Sequence, residues 1–381
     1  MQKPHRSINY TLGIEEEFQL IHRRTGHLCS YIEPLLAKGK SLLGDQIKAE
    51  YFQSMVELNS SVCTHIGEAH AELSRLRTAL ALLVQEDDVA IVSAGTHPYS
   101  SWQQQQRSPG EHYQQLEAHL QDIARSSVCF GLHIHVGIED KESAIPILNQ
   151  LRTWIPHLLA LSANSPFFEN RVTGFKAYRP VLWGQVFTRH GVTPGIFSSW
   201  HEFEWYVHRL VETGCISGSR EICWDIRPNS HYNTLEFRIC DMPTTIEDTL
   251  ILAALCQALV ARVYWLHLRG KDLPALPREY IEENKLPAAR DGLEADYVDF
   301  IHMRRLPMRD ALCELLDSVD EVSADLGSQH LLHHLHTSLA TGTYQTGADR
   351  QLAIYQQTDS LQQVIQFLTA QTLNGIEVSV G

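Results

Sequence analysis

The sequence lacks paired cysteines and a signal-like N-terminus. Its eight cysteines are spread over 381 residues, and none forms a Cys-x-x-Cys pair. In a chain of this length, that usage indicates reduced, mostly buried thiols rather than a disulfide framework. The first ten residues, MQKPHRSINY, contain no apolar signal core, which disfavours secretion. We therefore expect a cytoplasmic protein.

Positive charge is also scarce. The 31 lysines and arginines are outnumbered by 45 acidic residues, giving a net charge of −14, so generic nucleic-acid binding has no electrostatic support. The most apolar stretch, Leu250–Leu268, is interrupted by Gln257 and Arg262 and predicts a buried helix rather than a membrane span. We expect small-molecule substrates as partners, with no nucleic acid and no membrane. The sequence leaves open whether the protein forms a homo-oligomer.

A glycine-rich loop with P-loop spacing is absent as well, but carboxylates are concentrated near the N-terminus. The segment Thr11–Ile21, TLGIEEEFQLI, has the pattern of a strand with three consecutive glutamates. Because strand side chains alternate between faces, Glu15 and Glu17 share a polar face, while Glu16 lies in register with the apolar residues. Two adjacent carboxylates repel each other unless a cation lies between them, and hard divalent ions prefer such ligands. A solvated strand face is the alternative.

The rest of the chain alternates strand-like and helix-like segments, and a long irregular stretch over residues 165–200 is typical of a binding loop. The pattern predicts an α+β fold: a largely antiparallel sheet with helices on one face and a site on the other. We expect one domain over residues 1–381, with a sheet-bearing core over about 8–270 and a helical part over about 271–381. The predicted strands are Thr11–Ile21, Ile47–Ser61, Val89–Ala94, Val128–Ile138, Glu221–Arg227 and Thr234–Cys240, and the predicted helices include His65–Glu86, Glu111–Ser126, Glu142–Asn164 and His201–Thr213.

Three more predicted strands carry polar residues at alternate positions. A lone His-x-His or Glu-x-Arg pattern is weak, because buried structural histidines and cross-strand salt bridges give the same patterns. When several strands place acidic, imidazole or guanidinium groups opposite an apolar face, the pattern indicates an acidic, metal-binding cleft in which one arginine binds a phosphate. The alternate positions hold Glu57 in the second strand, His133 and His135 in the Val128–Ile138 strand, and Glu236, Arg238 and Cys240 in the last.

A family resemblance makes this interpretation specific. Seven motifs occur in the same order as in bacterial carboxylate–amine ligases that are similar to glutamate–cysteine ligase, and the resemblance runs from about Leu12 to Arg290. It implies a glutamine-synthetase-like catalytic fold, whose curved, mostly antiparallel sheet binds Mg²⁺, ATP and an acidic substrate on its concave face. The motifs are GIEEEFQL, the Val56–Glu57 pair, FGLHIHVG, LSANSPFFE, TGFKAYR, WDIRP and TLEFRICD.

The resemblance also implies residue roles. Arg238 matches the phosphate-binding arginine and, with Glu57, is expected to be catalytic. In the loop after residue 163, Arg179 matches the family motif, whereas Asn164 could instead cap a helix and Arg171 could be a surface charge. Arg227 faces a similar choice between a phosphate contact and a hairpin salt bridge. The implied metal ligands are Glu15, Glu17, Glu57, His133, Glu236 and, with less support because relatives vary there, His135.

The function implied is an ATP- and Mg²⁺-dependent ligase that joins a carboxylate to an amine through an acyl phosphate, with glutamate–cysteine ligase activity as one candidate. The alternatives are a metal-dependent hydrolase that uses the His-x-His strand and a non-catalytic nucleotide-binding protein. The cluster QHLLHHLH, from Gln329 to His336, has histidine spacings that could clamp zinc on a helix. It lies outside the resemblance and lacks a convincing further ligand, so a solvated helix face is the better interpretation.

Overall fold

The computed structural model describes residues 9–185 and 189–375 of the chain. Its strands and helices follow the α+β pattern that the sequence predicts. The strands are β1 (Leu12–His22), β2 (Ile47–Ala49), β3 (Met55–Asn59), β4 (Val89–Val92), β5 (Leu132–Gly137), β6 (Phe167–Phe168), β7 (Arg171–Val172), β8 (Ile226–Pro228), β9 (Thr234–Phe237), β10 (Asp296–Asp299) and β11 (Arg304–Pro307). The helices are α1 (Ile32–Leu43), α2 (Ile66–Val84), α3 (Glu111–Leu120), α4 (Asp122–Ser126), α5 (Lys141–Leu151), α6 (Ile155–Ser162), α7 (Arg179–Trp183), α8 (Trp200–Glu212), α9 (Ile246–His267), α10 (Arg278–Asp291), α11 (Met308–Asp325), α12 (Gln329–Ala340), α13 (Gly347–Thr358) and α14 (Leu361–Thr372).

A seven-stranded antiparallel sheet organises the molecule. Its order is β2–β3–β1–β5–β9–β8, and β4 pairs with the second half of β1. The register places Glu15 opposite His133 and Glu17 opposite Glu57 on the two sides of β1. Since directly opposed residues point to the same face of a sheet, this register gathers polar side chains from three strands.

The apolar face of the sheet is covered by helices, with α9 at the centre. Thr245 caps α9 by accepting a hydrogen bond from the Asp248 backbone nitrogen at 3.2 Å. Among the described residues, α9 is the helix long and apolar enough to cross a membrane, but 83% of its apolar window is buried inside the protein. The expectation of a buried core helix is thus confirmed.

Glu16 lies on this helix-covered face, as predicted, and is fully buried. The Arg77 guanidinium from α2 donates to both carboxylate oxygens, at 2.9 Å from Nε and 2.5 Å from Nη2. Thr249 from α9 adds a hydroxyl donor at 2.8 Å. A buried carboxylate is tolerated only when it is paired and hydrogen-bonded, so this ion pair explains why a glutamate can occupy a core position.

Several predicted elements are subdivided. The predicted second strand forms the separate strands β2 and β3, and the helix expected over Glu142–Asn164 is broken between α5 and α6. Pro156 lies in the first turn of α6, where its missing N–H is tolerated but cannot continue the hydrogen bonds of α5. Between α3 and α4, Gln121 has a φ of 51°, which interrupts the predicted Glu111–Ser126 helix.

A bulge ends the regular pairing of β9. Ile134 of β5 pairs with Phe237, whereas the Leu132 nitrogen donates to the Cys240 carbonyl at 3.1 Å. Two residues, Arg238 and Ile239, therefore lie opposite one residue of β5, which is the definition of a β-bulge. The alternation that predicted Cys240 on the polar face fails beyond this point, and the Cys240 side chain is buried in the hydrophobic core.

Candidate active site

A cavity of about 710 Å³ opens on the sheet face opposite the central helices. Side chains from the adjacent strands β1, β3 and β5 form its floor, and Arg238 from the bulge after β9 completes it. The helices α3 and α4 and the segment 217–223 form much of the wall. The predicted residues that line it are Glu15, Glu17, Glu57, His133, Arg179 and Arg238.

Three overlapping groups of side chains that could each hold a metal ion lie in the floor or directly beside it, since the predicted ligands His135 and Glu236 do not line the cavity. Within each group, one ligand atom per residue lies within 4.8 Å of the others. Glu57 belongs to two groups and Glu15 to two, so these carboxylates are shared between neighbouring candidate sites. The groups are Glu15–Glu57–His133, Glu15–His135–Glu236 and Glu17–Glu50–Glu57.

Glu50 was missed by the sequence analysis. It follows β2, outside the regular strand, so no alternation pattern points to it. Its position in the predicted strand segment Ile47–Ser61, seven residues before Glu57, was the available signal. In the folded chain, the antiparallel pairing of β2 with β3 brings Glu50 back to Glu57 and Glu17.

The electrostatics of the floor favour a bound cation. Burial, assisted by repulsion from Glu57, raises the pKa of Glu17 to about 7 against the attraction of Arg179. Burial and repulsion from neighbouring carboxylates likewise raise the pKa of Glu57 and hold that of Glu50 well above its usual range. Crowded carboxylates that resist ionisation are the donor set of a hard cation such as Mg²⁺, so the residues present fit the metal.

Glu15 behaves differently because two histidines flank it. Although burial alone would raise its pKa, hydrogen bonds and charge from His133 and His135 hold the pKa well below the usual range. His133 Nδ1 lies 3.0 Å from Glu15 Oε2, while burial and Arg238 lower the His133 pKa to about 4. A neutral ring that donates from Nδ1 leaves Nε2, which has no hydrogen-bond partner, free as a lone-pair ligand.

Arg238 is the cationic group of the floor, and the buried carboxylate of Glu236 lies behind it, outside the cavity lining. Arg238 Nη1 donates to Glu236 Oε1, and its Nε is buried without a hydrogen-bond partner. Arg227 binds both oxygens of Glu236, at 2.8 Å and 3.1 Å. Burial would raise the pKa of Glu236, but the two guanidinium groups, led by Arg238, lower it. Glu236 therefore stays ionised beside the candidate metal groups.

Arg227, for which the sequence leaves a phosphate contact and a hairpin salt bridge as alternatives, forms a salt bridge with Glu236. Besides Glu236, its Nη1 donates to the carbonyls of Arg220 and Ile222, at 3.1 Å and 2.7 Å. Arg227 does not line the cavity. Its described contacts are those of the alternative interpretation, a hairpin salt bridge that fixes Glu236.

Of the three loop residues predicted to contact ligands, Arg179 reaches the cavity. It is 3% exposed, and its Nη1 donates to the Arg238 carbonyl at 3.0 Å. Gly131 makes this position available, since a Cβ at that residue would lie 2.3 Å from Arg179 Nη2. The guanidinium therefore lies close to Glu17 and lowers its pKa against the effect of burial.

The other two loop residues, Asn164 and Arg171, lie outside the cavity lining. Asn164 is 1% exposed and does not line the cavity; its Nδ2 donates to the Met242 carbonyl at 2.7 Å, and its Oδ1 accepts from Gln351 at 2.7 Å. These hydrogen bonds hold the Asn164 side chain inside the core. Arg171 is exposed on β7 and donates to the Tyr178 hydroxyl at 3.2 Å, which is the surface-charge alternative.

The histidine cluster of α12 lies on a solvent-facing side of the helix. His330, His333 and His334 are exposed, and His336 lies 3.2 Å from Asp317. Among the described residues, none of the three-ligand groups includes these histidines. The expectation that they form a solvated helix face agrees with this placement.

Comparison with known sequences identifies the family. The sequence model of glutamate–cysteine ligase family 2 (GCS2) matches residues 11–366. The chain belongs to this family. A family relative from Solibacter usitatus, named "Putative glutamate–cysteine ligase 2", is 39% identical over 96% of this chain and 94% of its own length. A relative of the same name from Roseiflexus castenholzii is 42% identical over 98% of this chain and 97% of its own.

Solved structures show that the family fold is that of known ligases. The glutamate–cysteine ligase of Francisella tularensis, solved in complex with AMP, superposes with a TM-score of 0.73 at 14% identity, covering 96% of this chain and 88% of that one. A bifunctional glutathione synthetase from Pasteurella multocida gives a TM-score of 0.70 at 16% identity over 96% of this chain and 53% of that one. The predicted α+β fold with a mostly antiparallel sheet is confirmed, and it is shared with these two solved structures. As a member of this family, the protein is an ATP-dependent carboxylate–amine ligase.

Proposed function

We propose that the protein uses ATP and Mg²⁺ to convert a substrate carboxylate into an acyl phosphate, which an amine then attacks to form an amide. Glutamate and cysteine, which the names of the relatives mention, are the first substrates to test. The observation that carries the proposal is the floor of the cavity, where three carboxylate-rich groups lie beside the guanidinium groups of Arg179 and Arg238.

The carboxylates of the floor would bind the metal ion. When bound, Mg²⁺ would neutralise phosphate charge and offer the γ-phosphoryl group to the nucleophile. Glu15, Glu17 and Glu57 would hold it, with Glu15 and Glu57 central because each belongs to two ligand groups. Glu50 and His133 would complete the ligand set. Positioning and charge neutralisation are the main contributions that a protein makes to phosphoryl transfer.

The arginines would act on the anionic substrates. In the first step, a substrate carboxylate oxygen bonds to the γ-phosphorus and ADP leaves; in the second, the amine bonds to the acyl carbon and inorganic phosphate leaves. Arg238 has an unpartnered Nε inside the floor and would offset charge on the transferred group. Arg179 would bind a substrate carboxylate. A planar guanidinium can form two parallel hydrogen bonds to such oxygens, which an ammonium cannot.

The hydrolase alternative is weaker because the two histidines belong to different candidate metal groups. Among the described residues, no three-ligand group holds both His133 and His135; each joins Glu15 in a different group. A zinc hydrolase site with both imidazoles on one ion is therefore not supported, and a floor rich in carboxylates favours Mg²⁺. Metal analysis of chelator-washed protein tests this, since tightly bound stoichiometric zinc would favour the hydrolase.

The test of the proposal is ADP release against a panel of amino acids and amines, with the carboxylate of the productive substrate labelled by ¹⁸O. We expect Mg²⁺-dependent ADP release and transfer of one label into inorganic phosphate. Label in the nucleotide would indicate an acyl-adenylate, and nucleotide binding without ADP release from any pair would indicate a binding protein. The Glu57→Gln variant is the matched control and should release no ADP.

We also propose that residues 1–381 act as one ligase domain in the cytoplasm. The helical C-terminal part is in contact with the sheet-bearing part: Gln351 of α13 hydrogen-bonds the Asn164 side chain at 2.7 Å, and the Thr372 hydroxyl of α14 accepts from Ser93 at 2.9 Å. These contacts support a single unit. The oligomeric state should be measured by light scattering, which would show a mass of 43.3 kDa for a monomer.

A further inference from the structure

The WDIRP segment, Trp224–Pro228, contains a residue whose role the site does not explain. Asp225 directly precedes β8 and is 1% exposed. Its backbone carbonyl accepts hydrogen bonds from the nitrogens of Arg238, at 2.8 Å, and Ile239, at 3.1 Å. These are the two residues of the bulge, so one carbonyl holds both of the backbone groups that set the direction of the Arg238 side chain.

The side chain of Asp225 is fixed in turn by helix α10. Lys285 Nζ donates to Asp225 Oδ2 at 2.6 Å and to the Gly191 carbonyl at 3.0 Å. The side chains of Lys285 and Asp225 are 8% and 0% exposed. Glu282, one turn earlier on α10, lies 3.2 Å from Lys285 Nζ and accepts from the Thr193 nitrogen at 2.9 Å. The pair therefore connects a C-terminal helix to the backbone behind Arg238.

A buried ion pair is weak evidence for stability, because desolvation of both charges offsets most of their attraction. Its geometric effect is larger. A bulge residue has left the regular ladder, so its orientation depends on the few contacts that hold it. A displacement of about 1 Å in a reacting group can cost on the order of a hundredfold in rate. The position of Asp225 therefore affects the orientation of the Arg238 side chain.

We propose that Asp225 and Lys285 are positioning residues that hold the Arg238 guanidinium in its catalytic orientation. This inference rests on the proposed function, in which Arg238 contacts the transferred phosphoryl group. Neither Asp225 nor Lys285 lines the cavity, so both act through Arg238. Loss of the pair should lower kcat while leaving the KM for ATP nearly unchanged, because the floor carboxylates that would hold Mg²⁺ for the nucleotide are not altered.

The test is a double-mutant cycle between Lys285→Met and Arg238→Lys. We expect Lys285→Met to lower kcat by about tenfold to a hundredfold, with the KM for ATP changed by less than about threefold. Because Lys285 acts through Arg238, the double variant should be about as slow as Arg238→Lys alone. Multiplicative losses in the double variant would show that Lys285 acts independently of Arg238 and would overturn the inference.

Arg77→Met provides the matched control, since it removes the cation of another buried pair, with Glu16, on the helix-covered face of the sheet. We expect it to destabilise the fold while kcat per folded molecule stays within about twofold of the wild type. If Arg77→Met and Lys285→Met lower kcat equally, the effect of Lys285→Met is explained by general destabilisation of the fold. That result would overturn the inference.

A milder variant keeps the inference testable if Lys285→Met does not fold. Asp225→Asn retains the backbone carbonyl and the side-chain shape but removes the charge that Lys285 binds. It should show the same kcat-selective loss, and unchanged kcat would contradict the inference. The Arg238→Lys single variant distinguishes this outcome from failure of the proposed function. Normal turnover in Arg238→Lys would show that Arg238 does not have the proposed catalytic role, and Asp225 and Lys285 would then have no catalytic group to position.

Discussion

Glu15 and Glu16 are adjacent in the chain, yet their carboxylates lie on opposite faces of β1 and meet opposite surroundings. Glu15 lines the cavity beside His133, whereas Glu16 is enclosed by the helices and bound by Arg77. One residue of displacement along a strand thus separates a binding group from a structural one. The same substitution at the two positions should therefore give different results.

Glu15→Gln should abolish Mg²⁺-dependent turnover without unfolding the protein. The change removes one charge from a crowded floor, which relieves repulsion on Glu57 while deleting a shared metal ligand. The measurement is ADP release together with urea unfolding. Glu57→Gln should behave in the same way, and loss of activity that simply follows loss of folded protein would show that the polar face is structural.

Glu16→Gln should mainly affect stability. It leaves the Arg77 guanidinium buried without a counter-charge, which typically costs about 3 kcal/mol or more of unfolding free energy. The midpoint of urea unfolding should fall accordingly, while turnover per folded molecule is retained at low temperature. A stable but inactive Glu16→Gln variant would contradict the assignment of the two faces.

Arg238→Lys should lower turnover much more than ATP affinity. The substitution keeps the positive charge but loses the planar fork and the unpartnered Nε that lies in the floor. Removal of a contact of this kind commonly costs on the order of a hundredfold in rate. Steady-state kinetics beside direct nucleotide binding separates the two effects, and normal turnover in the lysine variant would rule out the proposed role.

Metal binding should release protons. Burial raises the pKa of Glu17 to about 7, and a nearby cation lowers that pKa, so binding of Mg²⁺ near neutral pH should displace protons from this carboxylate. Affinity for Mg²⁺ should therefore rise between pH 6 and pH 8. Calorimetry in buffers of different ionisation enthalpy measures the release, and a binding enthalpy that is the same in every buffer would contradict the prediction.

How much of this site the sequence could predict depends on backbone regularity. In β1 and β5, strict alternation placed Glu15, Glu17 and His133 correctly, because the strands are unbroken there. Glu50 was not predicted as a site residue because it follows the end of β2, where strand alternation no longer applies. Cys240 was misplaced because the bulge at Arg238 adds a residue, which no alternation rule reveals.

The contacts of Arg179 and Arg227 could not be predicted from alternation for another reason. Apart from the family motif that Arg179 matches, nothing in the sequence distinguishes Arg227, bound to Glu236, from Arg179, which enters the cavity. The difference depends on which partners the fold brings near each guanidinium. Gly131 was visible in the FGLHIHVG motif, but its purpose, space for Arg179, requires the packing of a loop against β5.

Cys240 should be dispensable for turnover. Burial raises the pKa of its thiol to about 12, so the nucleophilic thiolate is scarce at neutral pH, and the side chain lies in the core rather than in the cavity. Cys240→Ala should cost about 1–2 kcal/mol of stability for the lost packing but keep most turnover per folded molecule. Normal ATP binding with no turnover in this variant would indicate a thioester mechanism.

His97 should make the fold sensitive to mild acid. It is buried, with Nε2 at 2.8 Å from the Gly26 carbonyl and Nδ1 accepting from the Ser100 nitrogen at 2.9 Å. Burial lowers its pKa from 6.5 to about 3, so between these values the unfolded chain binds a proton that the folded chain does not. Stability should fall as pH drops below about 6.5, by up to about 1.4 kcal/mol per pH unit for this residue.

His97→Asn isolates this effect, because the amide oxygen can replace Nδ1 as an acceptor while removing the titrating group. We expect the variant to be less stable than the wild type at pH 8, yet to lose stability more slowly from pH 6 to pH 4. The difference in slope should approach one proton, measured by urea unfolding across that range. His157 and His190, whose pKa values burial lowers to about 4, would account for a remaining slope, but parallel profiles for the two proteins would show that His97 is not the linked group.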